Sequence, residues 1–197
     1  MKTPTTNFYN NFSLLYPLVD LFLKPQKKRL FDEVNNLPEG KLLEIGVGNG
    51  AHLPQYKKHS VVAIDTSGAM LSLAKKNNLI NAELLEMSGE SLEFNDQVFD
   101  YIVLSHVLAV VDNGEHLLEE VHRVLKPKGK VFILNHFTPN NWLSLIDRGF
   151  EPIARLFRFK SVFYIRNFAA IKRFTLHKEI NLALGSYFKL LIYRKND

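Results

Sequence analysis

The stretch Leu42-Leu43-Glu44-Ile45-Gly46-Val47-Gly48-Asn49-Gly50, with Val61-Val62-Ala63-Ile64-Asp65 behind it, decides how this chain folds. An apolar run of strand length feeds a glycine-rich turn, and a second apolar run ends on one acid, nineteen residues beyond Gly46. Glycines at such a turn permit backbone angles and a close ligand approach that a Cβ would block. A carboxylate at the tip of the next parallel strand can accept hydrogen bonds from both hydroxyls of a ribose. The pattern points to a nucleoside-binding crevice.

Glu44 sits two residues before the first glycine, where a nicotinamide-type turn usually carries an apolar side chain. A carboxylate buried there needs a donor or a cation beside it. Each acid also has a plainer reading: Glu44 as a cap on a neighbouring loop, and Asp65 as the N-cap of a helix that begins near Thr66-Ser67-Gly68-Ala69-Met70.

Outward from this centre, apolar runs alternate with helix-like intervals, the sequence form of a parallel sheet with crossover helices. Strands are expected at Leu42–Val47, Val61–Asp65, Glu83–Met87, Tyr101–Ser105 and Val131–His136, and helices near Gly50–Lys57, Ala69–Asn77 and Glu115–Val124. Lys126-Pro127-Lys128-Gly129 ends the last helix, because proline cannot continue one and glycine permits the turn. Phe174–Ile180 and Tyr187–Arg194, with Gly185-Ser186 between them, read as an antiparallel pair.

The 197 residues, 46% of them hydrophobic, can bury one sizeable core, so a single domain over 1–197 is expected. No cysteine is present, which excludes disulfides, cysteine metal sites and thiol nucleophiles. The polar opening Met1-Lys2-Thr3-Pro4-Thr5-Thr6-Asn7 carries no signal-peptide pattern, and no apolar run is long enough to span a bilayer; a cytoplasmic protein is the expectation. A net charge of +5 leaves nucleic acid and an anionic membrane surface open as partners.

In Glu44–Gly50, Val62–Leu71, Phe99-Asp100-Tyr101-Ile102-Val103 and Leu117–Lys130, the chain resembles the class I S-adenosylmethionine-dependent methyltransferases. That resemblance implies an α/β, Rossmann-like, doubly wound and mostly parallel sheet of about seven strands, closed by the C-terminal antiparallel pair. It implies N-terminal helices over 1–37 as a lid, a cofactor core over 41–137, a basic aromatic segment over 138–173 and the strand pair over 174–197. The implied cofactor is S-adenosylmethionine, with no metal. Its holders would be Glu44 near the methionine ammonium, Gly46 and Gly48 with their amides, Asp65 and Thr66 at the ribose, and Met70 beside the adenine, unless Met70 is core. After the third strand Ser88 stands where relatives carry an Asp, so a hydroxyl and the Gly89 amide would receive the adenine. Ser105 and His106 end the fourth strand.

Methyl transfer from a sulfonium asks mainly for alignment and an acceptor with a free lone pair, and an amine acceptor must first shed a proton. Histidine is the side chain best poised to take it, which singles out His136 and His106, although a histidine at a strand end is often structural. Ile133-Leu134-Asn135-His136-Phe137 and Asp147-Arg148-Gly149-Phe150-Glu151-Pro152 are similar to bacterial phospholipid N-methyltransferases acting on phosphatidylethanolamine, with Tyr9, Tyr16 and Asp20 fitting their N-terminal helices. Tyr9, Tyr16, Asn135 and Arg148 are the acceptor-binding residues this implies. Between Arg148 and Arg173, cations alternate with aromatic rings, a composition that suits an anionic lipid surface. Ser105-His106-Val107-Leu108 after strand four is no base-methylation motif, which argues against nucleic acid. The alternative acceptor is a soluble hydroxylated aromatic, quinone precursor or amine metabolite.

Overall fold

A computed structural model describes residues 16–77, 82–138, 164–182 and 188–196, with side chains from residue 26 onward. Helix α1 (Tyr16–Asn35) is followed by β1 (Lys41–Ile45), β2 (Ser60–Asp65), α2 (Gly68–Asn77), β3 (Glu83–Glu86), β4 (Phe99–Ser105), α3 (Gly114–Val124), β5 (Leu125–His136), β6 (Phe174–Asn181) and β7 (Phe188–Lys195). They form one seven-stranded sheet in the order β3-β2-β1-β4-β5-β7-β6. The pairs β1–β2, β1–β4, β2–β3 and β4–β5 are parallel, and β7 runs antiparallel to both β5 and β6. The chain winds outward from β1 to β3 and then returns to β4, so the order reverses between β1 and β4. Ligands in open α/β sheets bind just past the strand ends at such a reversal.

Side chains alternate across the sheet, and each face has its own core. On one lie Leu43, Ile45, Ile102, Leu104, Val131 and Ile133 against Leu117, Leu118, Val121 and Val124 of α3. The i, i+3/i+4 spacing of those α3 residues makes a single apolar stripe, and Asn113 starts the helix by accepting a hydrogen bond from the His116 amide. On the other face Leu42, Val103, Phe132, Leu134, Leu190 and Ile192 meet Leu30, Phe31 and Val34 of α1. Each of these three α1 side chains is at most 5% exposed, a burial worth roughly 2 kcal/mol apiece as an upper estimate.

Two local expectations need correction. The interval expected as a helix over Gly50–Lys57 is a turn leading into a 3-10 turn at Leu53–Gln55. Pro54 has no amide to donate, and the backbone around it is tied sideways: Asn35 donates to the Gln55 carbonyl and accepts from the Lys57 amide, anchoring the segment to α1. Likewise β5 begins at Leu125, before the Pro127 that ends α3, and pairs Leu125 with Phe99. A register shift between Phe99 and Tyr101, with Lys128 in the left-handed region at φ 63°, absorbs the proline-containing stretch as a bulge. A second shift lies between Leu176 and Lys178 of the edge strand β6, where Lys178 pairs with Glu33 of α1 at 2.9 Å. The antiparallel C-terminal pair stands as expected.

Candidate functional site

Beyond Ile45 the chain turns through Gly46, Gly48 and Gly50, with φ of 77°, 58° and 66°, a backbone that side-chain-bearing residues rarely adopt. The amides of Gly46 and Val47 both donate to the Ile64 carbonyl, which sews the turn to the end of β2. A Cβ on Gly46 would lie 2.5 Å from Cγ2 of Val107, so the loop after β4 closes directly over that glycine.

Asp65 collects the two sides of the crevice. Its Oδ2 accepts from the Gly48 amide at 2.8 Å and its Oδ1 from the Ser67 amide at 2.9 Å. The cap of α2 is Ser67, whose Oγ accepts from the Met70 amide, so Asp65 is not used as the N-cap. Burial pushes the Asp65 carboxyl above its ordinary range; the amides of Ser67, Gly48 and Thr66 pull it back, and the Glu44 carboxylate adds a further push upward. Thr66 is half-buried, while Met70 is 1% exposed and presents almost no surface to the crevice.

Glu44 is 1% exposed, and its Oε1 lies 2.7 Å from Nε2 of His52. Phe31 of α1 tilts over the His52 ring at 5.8 Å and meets Tyr56 edge-on at 5.1 Å. Burial and the Glu44 carboxylate push the Tyr56 phenol well above its ordinary value. Glu44 Oε2, His52 Nδ1 and the Tyr56 hydroxyl are all buried without a hydrogen-bond partner. Past β3, the Ser88 hydroxyl accepts from the Glu90 amide, and Gly89 is held so tightly that a Cβ would stand 2.7 Å from both Ile45 and Leu117.

At the ends of β4 and β5 the two histidines come together. His106 adopts φ 60° and donates its amide to the Leu134 carbonyl at 2.7 Å; His136 is 4% exposed. Phe188 stands edge-on to both rings, 6.0 Å from His106 and 6.5 Å from His136. By strand alternation Glu44 shares the α1 face with Leu42, Ser105 with Val103, and His136 with Leu134. The Ser105 hydroxyl there has no hydrogen-bond partner, nor does Oε1 of the buried Gln26 in α1. Asn135 falls on the opposite face from His136, 1% exposed, with neither amide atom hydrogen-bonded. Tyr9 and Arg148 lie outside the described residues, as does the side chain of Tyr16 at the start of α1.

Residues 43–133 match the family described as a methyltransferase domain. Phosphatidylethanolamine N-methyltransferase of Cereibacter sphaeroides is 29% identical over 81% of this chain and 82% of that protein. Demethylmenaquinone methyltransferase of Lactobacillus johnsonii is 34% identical over 50% of this chain and 41% of that protein. A solved S-adenosylmethionine-dependent methyltransferase from Thermotoga maritima superposes with a TM-score of 0.75 at 18% identity, covering 96% of this chain and 99% of that one, a likeness of fold.

This chain is a class I S-adenosylmethionine-dependent methyltransferase. The match to the quinone enzyme spans less than half of that relative, so family membership does not fix the methyltransferase's acceptor. Sequence reading of this methyltransferase missed His52, Tyr56 and Phe188. His52 was within reach, since it lies eight residues past a buried acid that needs a donor, but the helix expected over Gly50–Lys57 gave no reason to turn its ring toward Glu44. Among the described residues of the methyltransferase, no group of three His, Cys, Asp or Glu side chains is placed to hold a metal, and no helix is long and apolar enough to cross a membrane.

Proposed function

We propose that this methyltransferase alkylates an amphipathic, lipid-like acceptor, the amine of phosphatidylethanolamine, at the interface of an anionic membrane. One observation carries the choice: the likeness to the phosphatidylethanolamine enzyme runs through four fifths of both chains, whereas the likeness to the quinone enzyme stops at half. The residues present fit the cofactor. Glu44 and Asp65, near enough that the Glu44 carboxylate pushes the Asp65 carboxyl up, make the crevice anionic, and Glu44 Oε2 has an unused acceptor position, as a cationic sulfonium with an ammonium requires.

When bound, S-adenosylmethionine supplies a methyl carbon on a cationic sulfur, which the acceptor nitrogen displaces in line while the C–S electron pair returns to sulfur. The Gly46 and Gly48 turn would give the backbone approach, Asp65 would receive the ribose hydroxyls with Thr66 beside it, and the Ser88 hydroxyl and Gly89 amide would take the adenine. Ser105 and His106 line the approach from β4. His136, buried under the α1 face, takes the proton that the acceptor ammonium must lose before its lone pair can attack. Phe188 stands edge-on to both imidazoles, an apolar wall beside the proposed base.

A soluble hydroxylated aromatic or quinone precursor is the competing acceptor, favoured by the likeness to the menaquinone enzyme. Methyl-labelled S-adenosylmethionine, offered with vesicles of phosphatidylethanolamine and an anionic lipid, separates the two. Label in the lipid fraction, weakened by salt, is the expected result; label appearing only in a soluble quinone precursor overturns the lipid reading.

A further inference from the structure

The buried polar cluster under α1 is not accounted for by the glycine turn and Asp65. A carboxylate taken out of water needs its oxygens satisfied, and Glu44 has only one that is: Oε1, on His52. His52 can do this because three things fix its ring. The 3-10 turn Leu53–Gln55, with Pro54 inside it, holds the backbone that follows, Phe31 of α1 covers the ring at 5.8 Å, and Tyr56 meets the same Phe31 edge-on. Tyr56 brings its hydroxyl up to Glu44, close enough for the carboxylate to push its phenol up, without closing to full hydrogen-bond geometry. Glu44 Oε2 is therefore a desolvated acceptor with a fixed direction and no partner at hydrogen-bond distance, at the start of the cofactor turn, with the Tyr56 hydroxyl beside the carboxylate.

We propose that His52 is a positioning residue for the amino-acid end of the cofactor. It clamps Glu44 through Oε1 and so leaves Oε2 as the acceptor for a protonated primary amine. The inference rests on the cofactor reading above. It adds that recognition of the ammonium depends on a histidine that never touches the ligand, and that α1, through Phe31, is part of the clamp. Losing the clamp lets the carboxylate rotate and removes the direction of the acceptor; the adenosine end, held by Asp65 and the loop after β3, is unaffected.

Calorimetric titration of the full chain with two probes tests this. S-Adenosylhomocysteine carries the ammonium, and 5′-methylthioadenosine has the same nucleoside and thioether without it. His52→Leu, and separately His52→Asn, which draws the donor back by one bond, should weaken S-adenosylhomocysteine binding by roughly tenfold or more, the worth of one charge-assisted hydrogen bond. Both should leave methylthioadenosine binding within about twofold of the parent, well inside one tenfold step in affinity. His52→Gln, which puts a donor where Nε2 stands, should restore most of the loss. Equal weakening of both probes would mean that His52 only supports the fold, and unchanged binding of both would mean that it does nothing; either overturns the proposal. If the parent chain binds neither probe, the cofactor reading itself fails. If the parent binds both equally well, Glu44 does not see an ammonium and the inference falls alone.

Discussion

Replacing Gly46 by alanine isolates the architecture of the crevice from its ligand. The new Cβ meets two obstacles that can be costed separately. Gly46 sits at φ 77°, where a residue with a Cβ pays about 1–2 kcal/mol. The Cβ would also lie 2.5 Å from Val107 Cγ2, in a loop whose Val107 is 7% exposed, and overpacking of that kind costs about 1–3 kcal/mol. Together the penalty is about 3 kcal/mol, which for a chain of this size lowers Tm by about 6–12 °C. Urea unfolding without ligand measures it. Val107→Ala removes the obstructing methyl, so the double variant Gly46→Ala/Val107→Ala should be less destabilised than the sum of the singles, by about 1–2 kcal/mol, leaving the backbone cost behind. A loss below about 1 kcal/mol for Gly46→Ala, or strictly additive losses, would refute the claim that the loop after β4 closes on this glycine.

Asp65→Asn keeps the shape but puts an amide where one carboxylate oxygen accepts from Gly48 or Ser67, so S-adenosylhomocysteine affinity should fall by about tenfold or more; unchanged calorimetric affinity would remove Asp65 from the site. His136→Ala should leave that affinity intact and lower the turnover of an amine acceptor, about a hundredfold if it serves as general base, and parent-level turnover would leave alignment alone as the source of rate. His122 has its pKa pushed down to about 4, first by burial and then by Arg173 and Lys195. Since the folded value lies below the unfolded 6.5, the unfolded chain binds a proton first, and stability falls as pH drops from about 6.5 toward 4; with partial exposure the loss is about 1 kcal/mol. Urea midpoints at pH 7 and 5 should show that loss in the parent and lack it in His122→Leu.

What could be read from the sequence was whatever is local. The turn after β1, the acid ending β2 and the stripe of α3 are contiguous patterns, and each element formed where its own residues call for it. The segment around Pro54 misled because helix-like composition says nothing about Asn35, twenty residues away, which holds its backbone in another shape. Pro127 was correctly read as the end of a helix, but a bulge can carry a proline into a strand, and β5 starts six residues early. Asn135 and His136 were grouped together although neighbours in a strand face opposite ways; strand alternation alone would have separated them. The Glu44–His52 pair and the meeting of two histidines at Phe188 depend on how α1 and β7 pack, and no stretch of sequence contains that.

The rim of the sheet has a separate bearing on handling the protein. As the last strand among the described residues, β6 offers a row of amides and carbonyls with no strand beside it, along which a neighbouring molecule could lay its own, and Leu176, 45% exposed, adds an apolar foothold. Two features blunt this template: the register slip beside His177 breaks its straight run, and Lys178, tethered to Glu33, hangs a charge across it. Shortening Lys178 would therefore do more than untie α1 from the border. It would bare a sticky seam, and the first symptom would be precipitation on concentrating the sample, well before any change in melting.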